Sequence, residues 1–179
     1  MQRAVLYVRR RKNTRFVVEE GENMHPNAQR IQEFYAAFQR LDAQAMAQCY
    51  ADTATFSDPV FANLHAAETR AMWAMLTKRA KNFELSYANI QADDHKGSAD
   101  WEAKYDFSAS GRRVHNIIHA EFVIEQGKIV RHSDTFDMWR WARQALGITG
   151  WLLGWSGFFQ RTISNQAMKS LQAYMRKNG

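Results

Sequence analysis

The period of the hydrophobic pattern changes from 3.6 residues to two near Phe83. Upstream of it, apolar residues recur at helical spacing over residues 27–40, 43–50 and 66–80. Downstream of it, apolar and polar residues alternate, most clearly over residues 101–108, as in strands with one buried face. Helices followed by strands of this kind predict an α+β chain with three N-terminal helices packed on one sheet.

The strands that the alternation predicts are long, about ten residues each, and long strands twist and curl. Turn signals at residues 93–97, 110–112 and 126–127 separate them, and residues 53–59, 60–64 and 128–138 add further strands. Aromatic residues make up 13% of the chain. We therefore predict a cone-shaped, curved antiparallel or mixed sheet that the helices close around an apolar pocket.

Three parts are expected along the chain: a basic leader at 1–23, a domain at 24–146 and a helical extension at 147–179. The leader carries half of the net charge of +6, and the glutamate-rich run before Met24 resembles a translated ribosome-binding site. We expect Met24 to be the physiological start; an extra strand or a basic arm is the alternative. The aromatic segment Trp151 to Phe159 is expected to be a lid or dimer surface, with a membrane-surface contact as the alternative.

Composition also limits the function classes. With half of the charge surplus in the leader, the rest of the chain shows no basic stripe or binding motif, so we do not expect nucleic-acid binding. Cys49 is the single cysteine, which excludes an intrachain disulfide and favours the reducing cytoplasm. We expect its thiol to be buried and inert.

Ionisable residues occur on predicted strand faces that should be apolar. Asp58 ends a strand on the side of Phe56, His119 shares a face with Ile117, and Asp134 shares a face with its neighbours two positions away. Facing inward, these groups would be polar points in an apolar pocket, where a carboxylate is a base usable near neutral pH. We predict Asp58, His119 and Asp134 as catalytic. The predicted pocket walls are Phe34, Phe56, Trp101, Tyr105, Ile117, His132 and Phe136.

Simpler roles for these residues stay open. Asp58 precedes a proline and is also placed to cap a turn. His119 fits a satisfied core histidine, and Asp134 fits an ion pair with Arg131 or Arg140. A metal site is not expected, because histidines four positions apart on a strand are separated by about 13 Å.

The segments FYAAF at 34–38 and YADTATFSDPVF at 50–61 resemble the opening of the nuclear transport factor 2-like superfamily. The hairpin at 122–130 resembles its penultimate hairpin. Residues 134–147 look like a bacterial SnoaL-like subgroup of unassigned function. The superfamily includes ketosteroid isomerases, SnoaL-like polyketide cyclases and limonene epoxide hydrolases, and it also includes plain binding modules.

The resemblance implies specific roles. Asp58 matches the isomerases' aspartate base in its Asp-Pro pair. Phe34 and His119 fall where those enzymes have a tyrosine and a protonated aspartate, so steroid isomerisation is not implied. Asp134 matches the aspartate on the last strand of the cyclases and epoxide hydrolases. The hydrolases also need an arginine between two carboxylates, which we do not identify.

Two functions follow as hypotheses. The first is a small-molecule-binding SnoaL-like domain that acts as an isomerase, cyclase or epoxide hydrolase on a small apolar carbonyl or epoxide compound. It would need no metal or cofactor, with Asp58 or Asp134 as base and His119 as donor to the developing oxyanion. The second is a non-catalytic ligand-binding or scaffolding module, forming a homodimer through the open sheet face.

Overall fold

The structure is a computed structural model that describes residues 24–178. The predicted basic leader, 1–23, lies outside the described residues. The elements, in chain order, are α1 (Pro26–Gln39), α2 (Ala43–Gln48), β1 (Tyr50–Ser57), β2 (Leu64–His65), α3 (Ala66–Arg79), β3 (Glu84–Ala92), β4 (Lys96–Asp106), β5 (Arg113–Glu125), β6 (Lys128–Thr135), α4 (Met138–Leu146), α5 (Ile148–Leu153) and α6 (Gly157–Asn178).

All six strands belong to one curved sheet in the order β2-β1-β6-β5-β4-β3. β1 runs parallel to β6, and the other neighbours are antiparallel. The β5–β6 hairpin turns at Gln126 and Gly127, whose φ angles of 50° and 70° match the twist of antiparallel strands. The predicted α+β class, the mixed sheet and the cone shape are confirmed.

β1 covers Tyr50–Ser57 instead of the predicted 53–59. Two further strand limits differ from the structure. β6 ends at Thr135 instead of 138, because Asp137 accepts a hydrogen bond from the backbone N–H of Arg140 and caps α4. The partner strand predicted over 60–64 is reduced to Leu64–His65. Both errors arise where short-range side-chain bonds to the backbone override strand propensity.

The core lies between α1, α3 and the inner face of the sheet. α1 packs across β3 and β4, α3 packs on β1, and α6 packs on α3. Ile163 and Ala167 of α6 reach the interior and line the same cavity as residues of the sheet. The largest side chains of the core are aromatic and include Phe34, Tyr35, Phe38, Phe56, Trp73 and Phe122.

Candidate active site

A cavity of about 560 Å³ lies between the inner face of the sheet, α3 and α6. Two of its carboxylates, Asp58 and Asp134, come from the carboxyl ends of the parallel strands β1 and β6. A third, Asp106, is bonded to Asn82 and paired with Arg113. The remaining lining is mostly apolar, and its aromatic members include Phe56, Phe61, Trp73, Trp101, Phe136 and Trp141.

Asp58 follows β1 directly and closes a turn over the cavity. Its Oδ1 accepts the backbone N–H of Val60 at 2.7 Å and that of Phe61. Loss of hydration raises the pKa of Asp58 to about 7; the nearby charge of Asp134 adds to the rise, and the bond from Phe61 opposes it. Asp58 therefore both caps a turn and presents a carboxyl group that gains and loses its proton near neutral pH.

We expect Asp58→Asn to stabilise the protein at pH 8 and to have little effect at pH 4. A folded-state pKa of about 7, raised from 3.8, means that the folded chain holds this proton more tightly than the unfolded chain. The stability that the protonated Asp58 contributes is therefore fully present below about pH 4, and it is lost as the pH rises to about 7. The shift corresponds to about 4 kcal/mol, and partial exposure reduces the expected gain to about 2 kcal/mol.

Urea unfolding of Asp58→Asn and of wild type at several pH values measures this difference. Asparagine keeps the acceptor oxygen for the two backbone N–H groups, so the turn is preserved. Asp52→Asn, at an exposed carboxylate that pairs with Arg70, is the matched control and should not show the gain in stability at pH 8. Parallel curves for wild type and Asp58→Asn would contradict the raised pKa.

Asp134 is buried and is held by two ring N–H groups. Its Oδ1 lies 3.3 Å from Trp101 Nε1 and 3.0 Å from His132 Nε2. His132 Nδ1 lies 2.6 Å from the hydroxyl of Tyr50, which accepts the indole N–H of Trp73 at 3.0 Å. A continuous chain of hydrogen bonds thus runs from α3 through β1 to the carboxylate on β6.

The polarity of this chain fixes the tautomer of His132. The Tyr50 hydroxyl accepts from Trp73, so its own proton is directed to Nδ1 of His132. Nε2 of His132 then carries the ring hydrogen and donates a hydrogen bond to Oδ1 of Asp134. Because Trp101 also donates to the same oxygen, Oδ1 of Asp134 accepts two ring N–H hydrogen bonds.

Tyr105 supplies a further hydroxyl on the cavity lining. It accepts the indole N–H of Trp141 at 2.9 Å, which leaves its own proton free to be donated. Burial raises the pKa of Tyr105, and the charge of Asp58 adds to the rise, so the hydroxyl keeps its proton. The cavity therefore combines the hydrogen-bonded carboxylate of Asp134 with two groups that can donate a hydrogen bond near neutral pH, the protonated Asp58 and the hydroxyl of Tyr105.

The profile of the SnoaL-like domain family matches residues 31–132, more than half of the chain. The chain belongs to the SnoaL-like domain family. No curated protein matches it significantly. Helices α4 to α6 of this SnoaL-like domain lie beyond the residues that the family profile matches.

Solved structures share the fold at low identity. An LEH-like epoxide hydrolase of M. tuberculosis is 18% identical with a TM-score of 0.58, over 72% of this chain and 96% of that one. An NTF2-like protein of unknown function from Burkholderia pseudomallei is 18% identical with a TM-score of 0.61, over 68% and 98%. A polyketide cyclase-like protein from Xanthomonas campestris is 18% identical with a TM-score of 0.57, over 67% and 96%.

The SnoaL-like domain places most predicted pocket residues at the cavity. Phe56, Trp101, Tyr105 and Phe136 line it, together with both aspartates. Phe34 and His132 do not line the cavity but lie behind its lining. Both are fully buried, and their rings are in edge contact with each other.

The predicted inward direction of His119 and Ile117 is wrong. In the β5–β6 ladder Ala120 faces Asp134, so His119, one position earlier, points to the opposite face. His119 Nδ1 pairs there with Asp100 Oδ1 at 2.7 Å, and Ile117 is 49% exposed. Of the two sets of alternate residues along β5, the more apolar set faces inward. This difference in polarity was the feature of the sequence that could have predicted the inner face.

Two residues of the hydrogen-bond chain were not predicted as site residues. Tyr50 begins β1, although its sequence position continues the pattern of α2, and Trp73 is hidden among the apolar residues of α3. Among residues 24–178, no three His, Cys, Asp or Glu side chains are grouped so that they could hold a metal ion.

Proposed function

We propose that this SnoaL-like domain transfers a proton on a small, largely apolar carbonyl compound, with Asp134 as base and Asp58 as acid. Asp134 would take the proton from the carbon next to the carbonyl. The protonated Asp58 or the hydroxyl of Tyr105 would donate to the carbonyl oxygen, which gives the enol. The donor role predicted for His119 thus passes to two groups that line the cavity.

One observation carries this proposal: two carboxylates in one apolar cavity have hydrogen bonds of different kinds. Asp134 accepts two ring N–H hydrogen bonds at one carboxylate oxygen. Asp58 has a pKa raised to about 7. Enzymes that use acid–base catalysis often hold two titratable groups in environments that differ, so that one can act as acid and the other as base.

An epoxide would need the same two groups, with water as the nucleophile. The epoxide hydrolases that the chain resembles place an arginine between their carboxylates. Among residues 24–178, no arginine forms a hydrogen bond or an ion pair with Asp58 or Asp134. The carbonyl substrate class is therefore preferred.

The test is hydrogen–deuterium exchange at the activated carbon of 2-tetralone in D2O, followed by proton NMR. The expected result is exchange well above that in buffer, with a pH profile that changes near pH 7. Exchange at the background rate, together with a small molecule retained in native mass spectrometry, would support the non-catalytic binding module instead. The same native spectrum tests the predicted homodimer.

A further inference from the structure

An exposed apolar patch surrounds α5. Within residues 24–178, seven of the ten large hydrophobic side chains that are exposed fall between Trp139 and Phe158. They include side chains as exposed as Phe158, at 76%, and Trp155, at 68%. We define the aromatic patch as Trp139, Ile148, Trp151, Leu152, Leu153, Trp155 and Phe158.

Gly150 of α5 and Gly154, which follows it, face the interior, whereas Trp151 faces outward. Gly150 is the buried residue of α5, and a Cβ atom there would lie 1.9 Å from the carbonyl oxygen of Ala142. At Gly154 a Cβ atom would lie 2.8 Å from Ala142 Cβ. Two glycines thus let α5 pack tightly on α4. Large apolar side chains of a helix usually face the protein interior, whereas those of α5 face outward.

The aromatic patch lies in a uniformly basic part of the chain. Residues 138–179 contain six arginines and lysines and no aspartate or glutamate. Because the net charge of the whole chain is +6, the other residues balance to zero. Arg143 stacks over the ring of Trp139 at 4.3 Å, and Arg161 is exposed one turn after Phe158.

We propose that the aromatic patch docks on an anionic lipid surface. Exposed tryptophan and phenylalanine insert at the boundary between headgroups and acyl chains, and neighbouring arginines and lysines bind anionic headgroups. No helix in residues 24–178 is long and apolar enough to cross a bilayer, so the contact lies in the plane of the interface. Trp139 and Trp155 both donate their indole N–H to carbonyls of α5, which holds the patch in one conformation.

Charge decides against a second copy of the chain as the occupant. A two-fold symmetric contact would bring this basic segment against itself, and residues 138–179 contain no acidic side chain to compensate. An anionic surface is the partner that complements both the apolar side chains and the charge.

The experiment measures co-sedimentation of the full chain with vesicles of phosphatidylcholine, alone or with about one third phosphatidylglycerol. We expect binding to the anionic vesicles at least about tenfold tighter than to the neutral ones, and weakened by salt. The double variant Trp151→Ser/Phe158→Ser should lose about tenfold or more in binding. Ile117→Ser removes an apolar side chain exposed on the outer sheet face, and this matched control should bind as wild type does.

Absence of binding to anionic vesicles would overturn the proposal, as would equal loss in Ile117→Ser. A wild-type dimer that Trp151→Ser/Phe158→Ser converts to a monomer would assign the patch to self-association and also overturn it. Quenching of tryptophan fluorescence by brominated lipids needs only the wild-type chain, so the proposal remains testable if the variant does not fold. Quenching at shallow bromine depth is expected, and no quenching would contradict docking.

Discussion

Asp134→Asn is expected to lower the rate of carbonyl exchange by about a thousandfold and to leave ligand binding nearly unchanged. General-base catalysis of this kind contributes about 10² to 10⁴ in rate. The amide oxygen can still accept from Trp101 and His132, so the site keeps its shape while it loses the group that takes the proton. The measurement is proton NMR of 2-tetralone in D2O with the purified variant.

His119→Ala is the matched control for this prediction. His119 lies on the outer face of the same sheet, paired with Asp100, and does not line the cavity. Its exchange rate should equal that of the wild type. A large loss in His119→Ala with normal turnover in Asp134→Asn would contradict the assignment of the site to the inner face.

Tyr50→Phe should reduce the free energy of unfolding by about 2–6 kcal/mol. The change removes the hydroxyl that accepts from Trp73 Nε1 and lies 2.6 Å from His132 Nδ1, so two buried polar atoms lose this partner. Each buried group left without a hydrogen bond costs about 1–3 kcal/mol. Urea unfolding at pH 7 measures the difference.

Tyr35→Phe provides the contrast. The hydroxyl of Tyr35 is buried and has no hydrogen-bond partner among residues 24–178. Its removal leaves no other polar atom unpaired, so the change should be neutral or stabilising. If both variants lose the same stability, the cost comes from packing, and the hydrogen-bond chain to Asp134 is not what stabilises the interior.

Periodicity was sufficient to place the main helices and strands, although not all of their limits, because burial of one face imposes a period that the sequence must carry. It did not determine which face of β5 points inward. His119 was assigned to the pocket on its chemistry, whereas the pairing of Ala120 with Asp134 across two strands decides the face. Register depends on contacts distant in sequence, and a single strand does not specify it.

The site itself was partly accessible from the sequence. Asp58 and Asp134 interrupt apolar strand patterns, and such interruptions are visible without a structure. The chain of hydrogen bonds through Tyr50 was not, because it joins residues more than eighty positions apart. The raised pKa of Asp58 depends equally on the walls that exclude water around it.

The helix α6 forms one wall of the cavity, yet it follows the segment that the family profile matches. The proposed acid and base stand on strands within or next to that segment, so the proposed chemistry and this part of the cavity wall are carried by separable parts of the chain. Substitutions at Ile163 or Ala167 would change the volume offered to a ligand without touching Asp58 or Asp134. Variants of α6 would therefore alter ligand selectivity separately from the proposed proton transfer.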